Sequence, residues 1–176
     1  MYSILESRSK SSGLAQRTLK NLEFIENAQK HGNADVHLVT QVVNSLLALL
    51  VFPIQSERHF FSLFRRISLP SSVILPQSMA QSIQTKINQT LNIPTLRIRK
   101  FGDCPNMARF FKRLRNALSH KNIEFDSESL DLSLVTVTLR DQVSSNSPVD
   151  WEITMSAKDL REIGLYLGDE IVKRGL

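Results

Sequence analysis

The spacing of apolar residues changes twice along the chain, and those two changes limit what it can fold into. Up to about residue 120 apolar positions recur at helical intervals; from Ile123 to Ile153 they fall in short, alternating, β-branched runs; from Ser156 the helical interval returns. This order predicts a mainly α-helical bundle with a small antiparallel β-meander, about residues 122–155, inserted before the C-terminal helix. A chain of 176 residues is expected to form one domain over residues 1–176, and no internal repeat or low-complexity segment marks a second.

Within the helical part, Gly13 to Lys30 carries Ala15, Leu19, Leu22, Ile25 and Ala28 at helical spacing, and His31-Gly32-Asn33 supplies a stop. Val36 to Phe52 is apolar on most of its circumference and is expected to end before Pro53, as the central helix of the bundle. Phe60, Phe61, Phe64 and Ile67 give a short third helix with a core face, and Arg65-Arg66 reads as its solvated end. A loop framed by Pro70 and Pro76 follows, and Ala80, Ile83, Ile87 and Leu91 mark a fourth helix ending before Pro94.

Pro105 and Asn106 open a helix whose apolar residues, Met107, Phe110, Phe111, Leu114, Ala117 and Leu118, fall in one stripe. Asn116 and His120, four apart, lie together on the opposite side with Arg109, Lys112 and Arg113 around them, and Arg115 flanks the stripe. The polar set is expected to face away from the core. Beyond it, Ile123 to Phe125, then Leu130, Leu132 and Leu134 or Val135 to Leu139, then Val149, Trp151 and Ile153 supply the strands. Trp151 reads as a strand-packing residue. Ser156 with Asp159 resembles a capping box for the last helix, whose inner face holds Leu160, Ile163, Leu167 and Ile171.

Several function classes drop out. The longest apolar run, Leu46 to Phe52, is far short of a membrane span. One cysteine, Cys104, precludes an internal disulfide framework, and no secretion signal is recognisable at the N-terminus, so a reducing cytoplasm is expected. His31, His37, His59 and Cys104 lack the spacing of a metal site, and Glu124, Asp126, Glu128 and Asp131 read as a solvated hairpin, so no metal and no cofactor are expected. Neither a phosphate-binding glycine loop nor a nucleophile elbow occurs.

Charge is more informative once located. Eight of the 22 basic residues, Arg97, Arg99, Lys100, Arg109, Lys112, Arg113, Arg115 and Lys121, lie in one stretch whose single acid is Asp103; the rest of the chain holds 14 basic against 16 acidic residues. Such a patch favours a polyanionic partner. Arg109, Lys112, Arg113 and Lys121 are the expected RNA-backbone contacts. In metal-free phosphodiester cleavage, a histidine moves the proton of the ribose 2′-hydroxyl or of the leaving 5′-oxygen, and an arginine stabilises the charge on phosphorus. Arg115 and His120 offer both groups, about 140° apart around an ideal helix, so they do not converge without the arginine's length or a second chain.

Arg115-Asn116-Ala117-Leu118-Ser119-His120 resembles the Arg-x4-6-His signature of the HEPN superfamily, and "FFKRLRNALSHKNIEF" with "GLAQRTLKNLEFIENA" looks like a bacterial, often plasmid-borne HEPN nuclease branch. The resemblance implies a homodimeric, metal-independent endoribonuclease whose active site is shared between two copies, in a phage-defence or toxin-antitoxin setting, with an antitoxin protein as a further partner. It assigns Arg115 and His120 as catalytic and Asn116 as the polar helper. Attack by the 2′-hydroxyl would leave 2′,3′-cyclic phosphate and 5′-hydroxyl ends. The alternatives are a non-catalytic RNA- or nucleotide-binding dimer and a dimer that engages only protein. Strands before the last helix depart from a mainly helical family.

Overall fold

The computed structural model of the chain describes residues 4–32, 37–56, 60–70 and 75–174; of residues 4–11, 51–56, 60 and 61 only the backbone is described. Among the described residues, six helices and four strands follow in order: α1 (Ile4–Lys30), α2 (Leu38–Ser56), α3 (Phe60–Arg65), α4 (Gln77–Leu91), β1 (Arg97–Phe101), α5 (Met107–Ser119), β2 (Ile123–Phe125), β3 (Thr136–Asp141), β4 (Trp151–Ser156) and α6 (Ala157–Lys173). The mainly α-helical fold with a small antiparallel sheet is the one the apolar periods predict. His59 lies outside the described residues, as do the side chains of Phe60 and Phe61.

α2 is the central helix and packs against α1, α3, α5 and α6. Val42, Leu46, Leu49 and Leu50 on it are buried, and so is the inner face of α6, Leu160, Ile163, Leu167 and Ile171. Removing each such side chain from water contributes about 1.5–3 kcal/mol. Two boundaries differ from expectation. α1 begins at Ile4 and passes through Gly13, and α2 runs through Pro53 to Ser56. Proline removes one backbone donor, a loss the helix tolerates this close to its end.

The sheet has the order β1-β4-β3-β2, with every pair antiparallel. β2, β3 and β4 form the expected meander, but β1 comes before α5 and adds a fourth strand at the far edge. Its alternation is broken by an irregularity in pairing between Ile98 and Lys100, so the two buried residues, Ile98 and Phe101, stand three apart. A bulged strand of this kind hides from a search for period two. In the β2–β3 connection, Leu132 and Val135 are buried while Leu130 and Leu134 are exposed, so β3 starts later than the leucine spacing suggests.

One sheet face, with Val137, Leu139, Trp151, Ile153 and Met155, is buried beneath the helices. Trp151 packs edge-on against Phe110 at 6.0 Å, as a strand-packing residue. Across the other face runs a ladder of ion pairs, one residue per strand: Glu124 to Arg140 at 2.5 Å, Arg140 to Glu152 at 3.2 Å, Glu152 to Arg99 at 3.2 Å. Of the hairpin acids, Glu124 thus meets an arginine, while Asp126 and Asp131 accept from Thr136 and Ser133, and no metal-binding cluster occurs among the described residues.

Ser156 caps α6 by accepting from the Asp159 amide at 3.1 Å. The Asp159 carboxylate does not close the box; it accepts from the Thr95 amide and hydroxyl, each at 2.7 Å, and so ties the segment before β1 to the start of α6. Gly102, between β1 and α5, has φ of +45°, and a Cβ there would lie 2.7 Å from Asp150 Oδ2 and 3.0 Å from its carbonyl oxygen. Gly102→Ala therefore combines an unfavourable backbone conformation with a clash, and a loss of about 1–3 kcal/mol is expected in denaturant unfolding.

Candidate RNA-cleaving surface

α5 is held at both ends by local chemistry. Asn106 caps its first turn, its side-chain oxygen accepting from the Arg109 amide at 3.0 Å. At the other end His120 is the C-cap and Lys121 takes the left-handed conformation at φ of 59°. The amides of Lys121 and Asn122 reach back to the carbonyls of Leu118 and Ala117, at 3.3 and 2.9 Å, in a Schellman-type turn. Left-handed backbone costs a non-glycine residue about 1–2 kcal/mol. The turn leaves the side chains of His120 and Lys121 exposed.

The core stripe is as the sequence predicts: Met107, Phe110, Phe111, Leu114, Ala117 and Leu118 are all buried. The polar side is not. Arg113 is 2% exposed, and its guanidinium is gripped by two carboxylates from the sheet side, Asp150 at 3.0 and 2.7 Å and Asp141 at 3.1 Å. Its assignment as an RNA contact is therefore corrected: the charge is spent inside the protein. Burial pushes its pKa down, but the hydrogen bonds to Asp150 and Asp141 outweigh that and leave it above the ordinary arginine value. Both carboxylates come from far along the chain, and no local spacing announces them.

Asn116 is half-buried and donates through Nδ2 to Asp141 Oδ2 at 3.2 Å. Arg115 is half-buried on the other flank of the core stripe, with Nε sealed from solvent and lacking a partner. Lys112 is exposed. Arg109 is partly covered: its Nε donates to the Asp103 carbonyl at 3.3 Å, and its Nη2 stands 4.0 Å from the Asp103 carboxylate. Arg99 is paired with Glu152, and Lys100 donates to the Val149 carbonyl at 3.1 Å. The basic stretch is thus less positive in space than in sequence, and Lys112, Arg115 and Lys121 are the cations on or beside α5 with no carboxylate partner among the described residues.

A cleft of about 620 Å³ between α1, α6 and the β2–β3 connection contains none of the motif residues. The motif lies on the end of a helix, with Asn116 and His120 on one flank and Arg115 on the other. Among the described residues no hydrogen bond joins Arg115 to His120, as the ideal helix angle of about 140° leads one to expect.

The clamp makes stability and charge separable. Arg113→Ala leaves Asp141 and Asp150 without their buried counter-ion, and a loss of about 3–5 kcal/mol is expected, against at most about 0.5 kcal/mol for exposed Lys112→Ala. Paired urea titrations measure the difference.

Cys104, beneath the start of α5, is fully buried, and burial pushes its thiol up to about 12. The native thiol therefore resists alkylation until the chain opens. Because its folded pKa exceeds the unfolded one, its contribution to stability is complete below about pH 9 and is lost as pH rises towards 12. A faster iodoacetamide reaction on raising the pH from 8 to 10, beyond that of an unfolded control, is the expected sign.

No curated protein and no solved structure shows significant similarity to the chain. A family model does: HEPN pEK499 p136 matches residues 2–174, nearly the whole length. The chain belongs to this HEPN family.

Proposed function

We propose that the protein is a metal-independent endoribonuclease in which two copies bring together Arg115 of one chain and His120 of the other. The carrying observation is the placement of these side chains. They occupy opposite flanks of one helix end, the imidazole exposed and the guanidinium half-buried with an unpartnered Nε. Nothing in the fold claims either one for structure among the described residues. A second chain with the same helix end would supply to each the partner its own chain withholds.

The reaction follows from the groups present. The ribose 2′-oxygen attacks phosphorus and gives up its proton; the P–O5′ bond breaks and the 5′-oxygen takes a proton. The imidazole of His120 serves at one of these proton transfers, and Arg115 stabilises the negative charge on the phosphoryl oxygens as the attack proceeds. The products carry 2′,3′-cyclic phosphate and 5′-hydroxyl ends, and no metal or cofactor takes part. Asn116 assists from the same flank as His120. Lys112 and Lys121 contact the RNA backbone, with Arg109 at the edge of the surface.

Membership of the HEPN family supports a nuclease or RNA-related role. It also fits a setting in bacterial defence or a toxin-antitoxin pair, with an antitoxin protein as partner. A buried, unreactive Cys104 suits a reducing cytoplasm, and no helix among the described residues is long and apolar enough to cross a membrane.

The test is cleavage of a mixed-sequence RNA in EDTA at low salt. Wild type is expected to cut and leave cyclic-phosphate ends, while His120→Ala and Arg115→Ala lose about two or more orders of magnitude. Mixing the two variants restores part of the activity if the site is shared between chains. RNA that is bound but never cut marks a binding module, and RNA that is neither bound nor cut points to a purely protein partner. Lys112→Ala is expected to weaken RNA binding and to lower the salt slope by about one.

A further inference from the structure

The carboxamide of Asn116 has a fixed orientation. A carboxylate can only accept, so the group facing Asp141 Oδ2 at 3.2 Å is the amide nitrogen. Asn116 Oδ1 is left with no protein partner among the described residues, and it is not among the sealed, unpartnered atoms, so it opens to solvent. Asp141, in turn, is 3% exposed at the end of β3 and is held by Arg113 Nη1 at 3.1 Å. Arg113 is fixed by the two-pronged contact with Asp150. A chain of hydrogen bonds thus runs from the β4 end of the sheet through Arg113 and Asp141 to the residue between Arg115 and the last turn before His120.

We propose that Asp141 is a positioning residue of the motif: it holds the Asn116 carboxamide so that an acceptor oxygen, and not the amide nitrogen, faces the reacting groups. This rests on the ribonuclease reading. The oxygen accepts a hydrogen bond from a donor at the site, either the ring N–H of a catalytic imidazole or the ribose 2′-hydroxyl, whose orientation for attack then depends on it. A carboxamide free to turn over would also be able to present its N–H, which cannot accept from that donor. Asp141 decides between the two.

Asp150 separates this role from simple support. It shares Arg113 with Asp141 but, among the described residues, makes no hydrogen bond to Asn116. If positioning through Asn116 is what matters, Asp150→Ala lowers stability but costs clearly less in kcat than Asp141→Ala, which removes the contact to Asn116 and lowers kcat about tenfold with KM little changed. Asp141→Asn keeps one oxygen able to accept from both Arg113 and Asn116, as Oδ2 does now, so it retains most of the activity.

The experiment is a double-mutant cycle on RNA cleavage by the purified full chain, with Asn116→Ala, Asp141→Ala and the pair, and with Asp150→Ala and Asp141→Asn beside them. The NMR signals of the Asn116 side-chain amide are followed in the same proteins. Expected is a pair no slower than Asn116→Ala alone, and an amide signal shifted by Asp141→Ala but not by Asp150→Ala. Additive losses in the pair, or an equal fall of kcat in Asp150→Ala, would overturn the positioning role while leaving the ribonuclease reading in place. Failure of the wild type itself to cut overturns that reading, and the positioning role with it. Should Asp141→Ala not fold, Asp141→Asn and Asp150→Ala still decide: a large loss in the former with no shift of the amide counts against the proposal.

Discussion

The buried guanidinium of Arg113 holds the motif helix to the sheet. α5 contributes it, Asp141 comes from the end of β3, and Asp150 immediately precedes β4, so one charge joins α5 to two successive strands that lie 28 and 37 residues further along the chain. A lone buried charge costs several kcal/mol, and two carboxylates with three hydrogen bonds offset that cost only if their geometry is kept. The consequence is specificity of placement. α5 cannot turn about its axis without breaking the clamp, and a helix that cannot turn presents Asn116 and His120 on a fixed flank.

Other features serve the same fixity. Asn106 sets where α5 begins, and the left-handed Lys121 sets where it ends. Gly102 lets the chain pass close under Asp150, which keeps that carboxylate on Arg113. At the opposite end of the strands, Thr95, Ser156 and Asp159 tie the approach to β1 to the start of α6. Surface electrostatics follow from this too. Carboxylates recruited from β4 and its approach neutralise part of the basic stretch, and among the described residues the cations left without one on or beside α5 are Lys112, Arg115 and Lys121.

Much of the fold was legible because it rests on local rules. The stripes of α2, α5 and α6 and the caps at Asn106 and Ser156 are written in neighbouring residues. β1 was not legible, because an irregularity at Arg99 breaks the alternation that marks a strand, and Arg97, Arg99 and Lys100 drew attention as charge instead. The ends of α1 and α2 were missed because Gly13 and Pro53 are tolerated where they lie. At the site, Arg115, Asn116 and His120 stood out in sequence by their spacing, but Arg113 was misread. From sequence it is one more cation on a polar face, and only the tertiary partners Asp141 and Asp150 reveal that it is buried.

That misreading shows how a single helix can serve both the fold and a surface. The apolar stripe of α5 commits six residues to the core, and Arg113 with Asn116 commits a second strip to the sheet. Little circumference remains, and it is there, at the two edges of what is committed, that Arg115 and His120 emerge. The same packing that sets where each of them emerges also keeps them apart within one chain. On the ribonuclease reading proposed above, a helix anchored on two sides holds Arg115 and His120 apart, and pairing with a second helix end would bring one of each together.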